Sequence, residues 1–319
     1  MKTILSVLPL NDSHRKILEQ AGEGCRFVYE SPQSVTEEQI QQAEVILGCV
    51  PAKSIQGSQR LEWVQLNTAG ADPYIVPGVL AEKTILTNAT GAYGKAVSEH
   101  ALSLTLMLQK KLYLYRSAQL RHEWYDYGTV TSMTNATVLV MGLGDIGLNY
   151  ARLVKALGAK VIGVKRRPSA CPEEIDELIT TEQLDQVLPR ADVVASFLPG
   201  NGQTYHTFDE ARFSRMKPGA IFINCGRGGA VDSAALAKAL ENGPITAAAI
   251  DVAETEPLPK ESPLWDLENL MITPHVAGWL HLPEILDRVV DIAAENLKAY
   301  LKGEELRNVV DFSTGYRRK

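Results

Sequence analysis

Three segments rich in glycine or proline each carry a side chain that could take part in catalysis. An imidazole exchanges protons near neutral pH, and a guanidinium forks onto a carboxylate. Each signal is weak alone, because a lone histidine is more often structural and an arginine after glycine is commonly a surface cation. Together and in this order they indicate a catalytic site. The segments are NCGRGGAVD at 224–232, DVAETEP at 251–257 and TPHVAG at 273–278, which contain Arg227, Glu256 and His275.

A GxGxxG motif, GLGDIG at 142–147, directly follows a predicted strand. Gly142 permits a tight turn, Gly144 lets the backbone approach a pyrophosphate, and Gly147 allows close helix–strand packing. The N-terminus of the following helix offers N–H groups to phosphates. This setting predicts a dinucleotide site. An accidental glycine turn, or another Rossmann ligand such as S-adenosylmethionine, remains open.

The next predicted strand ends in three cations, Lys165, Arg166 and Arg167. A free ribose 2′-hydroxyl usually calls for an Asp or Glu at about this distance from the glycines, and none is present here. Cations would accept a 2′-phosphate instead. We therefore expect NADP to be preferred, with NAD still possible. The alternative is a solvated basic turn.

Alternating apolar runs and helical patterns are typical of a parallel α/β architecture. The first region has predicted strands at 3–7, 44–47, 63–66 and 85–87, and a helix capped by Asp12 or Ser13 that ends near Gly22. Apolar residues from Val97 to Tyr115 then recur at spacings of three and four, which predicts one long amphipathic helix. A domain junction is expected at this helix.

A second, more apolar series contains about six predicted strands. Its predicted helices lie at 146–157, closed by Gly158, and at 233–241, where Asp232 is the expected N-cap. Pro283 can occupy the first turn of a last helix that Gly303 ends. The strands are predicted at 137–141, 160–164, 192–198, 220–224, 247–252 and 270–273.

The composition is that of an ordinary globular chain of 319 residues, enough for about two domains. A formal charge of −6 argues against general binding to nucleic acid or to an anionic membrane. The four cysteines are far apart and the histidines lack ligand spacing, so neither disulfides nor a metal is expected. No window is long and apolar enough for a membrane span, and the apolar N-terminal run is too short for a signal sequence. We expect a cytoplasmic enzyme.

The chain resembles the D-isomer-specific 2-hydroxyacid dehydrogenase family over essentially its whole length. The substrate loop of that family resembles NTAGAD at 67–72, and the stretch entering its interdomain helix resembles TNATGAYGKAVSEHAL at 87–102. The other matching stretches are VLVMGLGDIG at 138–147, INCGRGGAVD at 223–232, DVAETEPLP at 251–259 and ITPHVAG at 272–278.

This resemblance implies a Rossmann-type dinucleotide-binding domain, residues 97–284, inserted into a smaller flavodoxin-like α/β substrate domain, residues 1–96 and 285–319. It also implies a homodimer, and it places Asp251 as the acid that faces the nicotinamide end. The expected cofactor contacts are Gly142, Gly144, Asp145, Ile146, Gly147, Lys165, Arg166, Arg167, Leu198, Pro199, Thr204, Cys225, Gly226, Asp251 and Gly278.

The resemblance further implies a catalytic set of Arg227, Glu256 and His275. Arg227 would bind the carboxylate and carbonyl of a 2-oxo acid, and His275 would exchange a proton with the carbonyl oxygen. Glu256 would favour the protonated imidazole. The N–H groups of Ala69 and Gly70 would bind the substrate carboxylate, since glycine permits close approach.

The resemblance is compatible with glyoxylate, hydroxypyruvate or an aliphatic 2-oxo acid as substrate. The strand before the substrate loop, VQLNT at 64–68, lacks the basic residue typical of phosphoglycerate dehydrogenases, which argues modestly against a phosphorylated substrate. Glu256 argues against formate dehydrogenases, which carry Gln there. A phosphoglycerate dehydrogenase-type enzyme and a dinucleotide-sensing protein like the corepressors of this family remain alternatives.

Overall fold

A computed structural model of the protein describes residues 1–312. It divides into two compact units, Met1–Tyr93 with Leu280–Lys319, and Gly94–Trp279. The predicted domains, 1–96 with 285–319 and 97–284, have boundaries a few residues from these. Residues 313–319 of the predicted substrate domain lie outside the described part of the chain. The domain assignment stays a prediction.

The described residues form twelve strands and ten α-helices. The strands are β1 (Thr3–Ser6), β2 (Arg26–Tyr29), β3 (Val45–Leu47), β4 (Trp63–Gln65), β5 (Ile85–Thr87), β6 (Thr137–Met141), β7 (Lys160–Lys165), β8 (Glu177–Thr180), β9 (Val193–Ser196), β10 (Ile221–Asn224), β11 (Ala247–Ile250) and β12 (Leu270–Ile272). The helices are α1 (Asp12–Ala21), α2 (Glu37–Gln42), α3 (Ala52–Ile55), α4 (Gly94–Gln109), α5 (Leu112–Leu120), α6 (Asp145–Ala156), α7 (Leu184–Val187), α8 (Glu210–Ser214), α9 (Ser233–Asn242) and α10 (Pro283–Lys302).

The first unit is built on a five-stranded parallel sheet in the order β2-β1-β3-β4-β5. This is the order of flavodoxin-like folds. Its strands are short apolar runs that are buried on the sheet, as in the core residues Leu5, Ile46, Val64 and Leu86. Helix α10 packs with α1 in the same unit.

The second unit is a seven-stranded parallel sheet in the order β12-β11-β10-β9-β6-β7-β8. The six strands β6 to β11, in the order β8-β7-β6-β9-β10-β11, reproduce the Rossmann order, and β12 adds a seventh strand beside β11. Val140, Ala195 and Ile223 lie at one level across the central strands, which fixes the register. The predicted α/β class with a Rossmann dinucleotide-binding fold is confirmed.

The prediction of one long helix from Val97 to Tyr115 is wrong, because the helical conformation is interrupted between α4 and α5. Lys111 adopts a left-handed conformation with φ of 55°. Its Nζ atom donates to the carbonyl of Tyr127 at 2.6 Å. Leu112, one of the apolar residues in that spacing, is 52% exposed. Apolar spacing continues through the break because it does not report backbone conformation.

Two edge strands and one cap also differ from the sequence predictions. Strands β2 and β8 were missed, and both lie at a sheet edge where fewer side chains are buried. The N-cap of α1 is Asn11, not Asp12 or Ser13, since the Asn11 side chain accepts from the N–H of His14 at 2.9 Å. The predicted N-cap Asp232 and the helix end at Gly303 agree with the structure.

Within residues 1–312, none of the helices is long and apolar enough to cross a membrane. The same residues contain no group of three or more His, Cys, Asp or Glu side chains placed to hold a metal ion.

Candidate active site

The three predicted catalytic segments follow three adjacent strands of the second unit. Strands β10, β11 and β12 are neighbours in the sheet and run parallel. Their carboxyl ends therefore lie at one edge, where α/β sheets bind ligands. Arg227 follows β10, Glu256 follows β11 and His275 follows β12.

His275 and Glu256 are in direct contact. Nδ1 of His275 lies 2.7 Å from Oε2 of Glu256. The other carboxylate oxygen, Oε1, accepts the N–H of Ala253 at 3.0 Å, which anchors the Glu256 side chain to its own loop. Both side chains are about two-fifths exposed. A carboxylate at Nδ1 fixes the orientation of the ring and leaves Nε2 as the nitrogen that can exchange a proton with a ligand.

The backbone of His275 adopts a left-handed conformation, with φ of 55°. Such a conformation is uncommon for a residue with a side chain and persists where surrounding contacts impose it. The His275 N–H donates to the carbonyl of Asp251 at 2.7 Å and to that of Thr273 at 3.0 Å. The turn that aims the imidazole is thus held from strands β11 and β12.

Asp251 is buried, with 3% of its surface exposed. Its carboxylate accepts the Thr273 hydroxyl at 2.6 Å and the N–H groups of Val276 at 3.0 Å and Ala277 at 3.1 Å. Asp251 therefore holds the loop that carries His275. Contact with a nicotinamide, which the resemblance implies for Asp251, stays a prediction.

The Arg227 segment is packed directly against the Glu256 segment. A Cβ atom at Gly228 would lie 1.8 Å from the carbonyl oxygen of Ala253, so only glycine fits. Arg227 itself is half-buried, and its Nη1 donates to the carbonyl of Gly226 at 3.1 Å. A run of contacts thus joins the Arg227 loop to Glu256 and, through Glu256, to His275.

The glycine motif has the geometry that a dinucleotide requires. Gly142 has φ of 89°, and a Cβ at this position would lie 2.8 Å from the Phe197 carbonyl oxygen. A Cβ at Gly147 would lie 2.1 Å from the carbonyl oxygen of Gly142. At Gly144, by contrast, a Cβ would meet none of the described atoms within 4 Å, so the space above its backbone is open.

The N-terminus of helix α6 supports the same conclusion. Among the described residues, no side chain accepts a hydrogen bond as the cap of this helix. Its first N–H groups are therefore suited to phosphate oxygens. The Asp145 carboxylate packs against Gly94 on α4, where a Cβ would lie 2.4 Å from its Oδ1. It also accepts a hydrogen bond from the Asn149 side chain at 3.2 Å. Ile146 lies in the first turn of the same helix. The residues present fit a dinucleotide.

The predicted basic turn lies at the end of β7. Lys165 donates to the Ser169 hydroxyl at 2.9 Å, and Nη1 of Arg166 donates to Oε1 of Gln203 at 2.9 Å. Arg166 and Arg167 are exposed. The contact with Gln203 joins the basic turn to the loop after β9, which carries Pro199 and Thr204.

Several other predicted cofactor contacts belong to loops of the second unit. Leu198 is buried, and a Cβ at Gly226 would lie 2.5 Å from its carbonyl oxygen. Thr204 donates its hydroxyl to the Pro199 carbonyl at 2.6 Å. Gly278 follows Ala277 in the loop that Asp251 holds.

Cys225 is buried beside Asp251. Burial raises the pKa of the Cys225 thiol well above its usual range, and the negative charge of Asp251 raises it further. Only 6% of the surface of Cys225 is exposed, so its thiol is a packing group near Arg227 in sequence and not a nucleophile.

The predicted substrate loop belongs to the first unit. The Ala69 carbonyl accepts the Asn88 side chain at 2.8 Å, and the Gly70 carbonyl accepts the Thr68 hydroxyl at 2.7 Å. Their N–H groups donate no hydrogen bond to any residue in 1–312. These donors are suited to an acid ligand.

Sequence reasoning missed two polar residues beside Asp251. Thr273 contributes its hydroxyl, and Nε2 of His100 on α4 lies 3.1 Å from that hydroxyl oxygen. His100 is 173 residues from Thr273 in sequence. The signal available in the sequence was a histidine on the inner side of α4, which periodicity alone does not assign to a partner.

The comparisons with known proteins identify the family. The family model for the D-isomer specific 2-hydroxyacid dehydrogenase, NAD binding domain, matches residues 102–277. A glyoxylate reductase from Thermofilum pendens is 31% identical over 80% of this chain and 76% of its own. D-3-phosphoglycerate dehydrogenases are also similar, such as that of Methanocaldococcus jannaschii, 31% identical over 98% of this chain but only 60% of its own.

Solved structures cover nearly the whole chain. A D-isomer specific 2-hydroxyacid dehydrogenase family protein from Aeromonas salmonicida is 32% identical over 98% of this chain and 99% of its own, with a TM-score of 0.85. An NADPH-dependent glyoxylate/hydroxypyruvate reductase from Sinorhizobium meliloti, solved with NADP and sulfate, is 25% identical over 99% of this chain and 100% of its own, with a TM-score of 0.84. The resemblance drawn from the motifs is confirmed: the chain belongs to the D-isomer-specific 2-hydroxyacid dehydrogenase family and is an NAD(P)-dependent oxidoreductase of that family.

Proposed function

We propose that the protein reduces a small 2-oxo acid, such as glyoxylate or hydroxypyruvate, to its D-2-hydroxy acid with NADPH, and catalyses the reverse oxidation. The observation that carries this proposal is the 2.7 Å contact between Nδ1 of His275 and Oε2 of Glu256, at the carboxyl ends of the Rossmann strands. The glyoxylate and hydroxypyruvate reductases among the relatives support the substrate class.

In reduction, His275 delivers a proton from Nε2 to the substrate carbonyl oxygen, and in oxidation it takes this proton back. A general acid or base of this kind contributes about 10²–10⁴-fold to the rate. Glu256 accepts a hydrogen bond from the Nδ1–H of His275, so the ring keeps one orientation in both directions of the reaction. The contact between Glu256 and the Ala253 N–H keeps the carboxylate in place.

Arg227 binds the substrate carboxylate and carbonyl oxygen. Its fixed fork of donors matches this pair of acceptors, and its positive charge stabilises the negative charge that develops on the carbonyl oxygen. The close packing of Gly228 on Ala253 holds the segment in position for this role. The N–H groups of Ala69 and Gly70 supply further donors for the substrate carboxylate.

The glycine motif and helix α6 would hold the cofactor diphosphate through backbone N–H groups. When bound, the nicotinamide supplies or accepts the hydride. The chain's own residues bind the acid, orient it and move the proton. Leu198, Pro199, Thr204, Cys225, Gly226, Asp251 and Gly278 are the further candidate contacts with the cofactor.

The basic turn favours NADP over NAD. Lys165 ends β7 and Arg166 and Arg167 follow it, at the place where an acidic residue would select a free ribose hydroxyl. The Sinorhizobium meliloti enzyme was solved with NADP, which supports this preference. Initial rates with NADPH and NADH test it, and a tenfold or greater preference for NADH would contradict it.

A phosphorylated substrate is the second candidate, favoured by the similarity to D-3-phosphoglycerate dehydrogenases. The absence of a cation from residues 64–68 argues against it. An initial-rate screen with glyoxylate, hydroxypyruvate, pyruvate, branched 2-oxo acids and 3-phosphohydroxypyruvate separates the two. The highest kcat/KM with the phosphorylated acid would select the second candidate. Tight dinucleotide binding without turnover of any acid would instead indicate a sensor.

We also infer a homodimer. Large apolar side chains are exposed along residues 112–130: Leu112 is 52% exposed, Leu120 66% and Tyr125 61%, and Trp124 is fully exposed. Large exposed apolar side chains concentrated in one segment commonly mark a protein interface. Size-exclusion chromatography with light scattering measures the mass directly, and a mass near the 34.9 kDa of one chain would contradict a homodimer.

A further inference from the structure

A chain of three polar side chains lies behind the turn that carries His275. Nε2 of His100 lies 3.1 Å from Oγ1 of Thr273, and Oγ1 lies 2.6 Å from Oδ1 of Asp251. Nε2 of His100 also lies 3.7 Å from the same carboxylate oxygen. The proton transfer described above does not use His100 or Thr273.

The direction of these hydrogen bonds follows from the donors available. An ionised carboxylate accepts only, so the single hydroxyl hydrogen of Thr273 points to Asp251. Oγ1 can then only accept from His100, which places a hydrogen on Nε2 of that ring. The two hydrogen bonds are therefore donated in one direction, from His100 to Thr273 and from Thr273 to Asp251.

Asp251 is the point at which this chain meets the His275 turn. Its carboxylate accepts the N–H groups of Val276 and Ala277, and its backbone carbonyl accepts the N–H of His275. Three successive N–H groups are thus bound by one buried residue. Because His275 has φ of 55°, these contacts decide whether the imidazole keeps its place beside Glu256.

We propose that His100 and Thr273 are positioning residues for His275, acting through Asp251. By holding one rotamer of a buried carboxylate, they keep its oxygens aligned with the N–H groups of Val276 and Ala277, and these two bonds hold the left-handed turn just before them. This inference rests on the proposed function in taking His275 as the proton donor. The structural half, that the hydroxyl holds the turn, is independent of it.

The test compares Thr273→Val with Thr273→Ser, because valine keeps the shape and removes the hydroxyl whereas serine keeps the hydroxyl. Thr246→Val, an exposed threonine just before β11, is the matched control. His100→Phe removes the side chain that donates to Thr273. Hydrogen exchange is followed by mass spectrometry in the peptide spanning 275–277, and kcat and KM are measured with the best 2-oxo acid and NADPH.

We expect Thr273→Val to speed exchange in this peptide about tenfold, the change expected when a hydrogen bond to a charged group is lost. Its kcat should fall at least about fivefold with KM within about twofold, since a displaced donor slows proton transfer without weakening substrate binding. Thr273→Ser and Thr246→Val should match the unaltered protein in both measurements. His100→Phe should shift both in the same direction as Thr273→Val.

Unchanged exchange and kcat in Thr273→Val would overturn the inference, as would a rise in KM alone. If the unaltered protein turns over no 2-oxo acid, the proposed function fails, and exchange in 275–277 still decides whether the hydroxyl holds the turn. If His100→Phe does not fold, the valine and serine pair at position 273 decides the outcome.

Discussion

The backbone at Gly228 lies so close to Ala253 that a Cβ at position 228 would be 1.8 Å from the Ala253 carbonyl oxygen. Gly228 follows Arg227, and the N–H of Ala253 donates to Glu256. This one contact therefore joins the loop that carries Arg227 to the loop that carries Glu256.

Gly228→Ala should damage both stability and activity. The added methyl group would collide with backbone, so the two loops must move apart. We expect the free energy of unfolding to fall by about 1–3 kcal/mol and kcat/KM to fall more than about tenfold. Thermal unfolding and initial rates measure these effects. The control is Gly202→Ala, whose Cβ would meet none of the described atoms within 4 Å; equal behaviour of the two variants would contradict the account.

Arg166→Ala should reduce the preference for NADPH. A hydrogen bond to a charged group contributes about 1.5–3 kcal/mol, so kcat/KM with NADPH should fall about 10- to 100-fold while that with NADH changes little. Arg190→Ala, which lies before β9 at the amino ends of the strands, removes the same charge as a control. Equal losses with both cofactors would exclude Arg166 as the source of the preference.

Cys225 should resist alkylation in the folded protein. Burial and the charge of Asp251 both raise the pKa of its thiol, so the reactive thiolate is scarcer than in an ordinary cysteine at pH 8. Exposed Cys171 provides an internal control. Peptide mapping after iodoacetamide treatment should find Cys171 modified and Cys225 protected until denaturant is added. Rapid modification of Cys225 in the native protein would show that its burial is wrong.

Glu254 should stabilise the fold in a pH-dependent way. Burial acts to raise the pKa of Glu254, but hydrogen bonds from His206 and Ser233 outweigh burial, and the pKa lies below its ordinary value of 4.5. A lowered pKa contributes stability that is present above the ordinary value and is lost as the pH falls through the folded value.

Glu254→Gln should therefore lower the Tm at pH 7, and this difference should shrink as the pH is lowered below 4.5. Thermal unfolding across pH 3–7 measures it. Glu241→Gln, on the exposed face of α9, should leave the Tm unchanged at every pH. A Glu254→Gln difference that stays constant with pH would show that the hydrogen bonds act independently of the charge.

The central strands of both sheets were predictable because each is a short apolar run buried on the sheet. Strands β2 and β8 were not, since an edge strand is partly exposed and its residues, such as Arg26 and Glu177, do not form an apolar run. The break at Lys111 was equally invisible, because apolar spacing continues across it while the backbone turns left-handed.

The site was predictable where chemistry is written into a motif. Arg227, Glu256 and His275 lie in glycine- and proline-rich segments after strands, and the family resemblance implied that Glu256 acts on His275, which agrees with their 2.7 Å contact. The link from His100 to Thr273 was not predictable, since it depends on where α4 packs on the sheet. The left-handed backbone of His275 likewise reflects contacts with Asp251 that no local sequence pattern reports.

The most direct test of the account is the turnover of His275→Ala in the NADPH-dependent reduction of the best 2-oxo acid, with His122→Asn as a control for loss of a histidine. We predict that kcat falls by about 10²–10⁴-fold, the range expected for loss of a general acid, while the Kd for NADPH stays within about twofold. Turnover close to that of the unaltered protein would contradict the assignment of His275 as the proton donor.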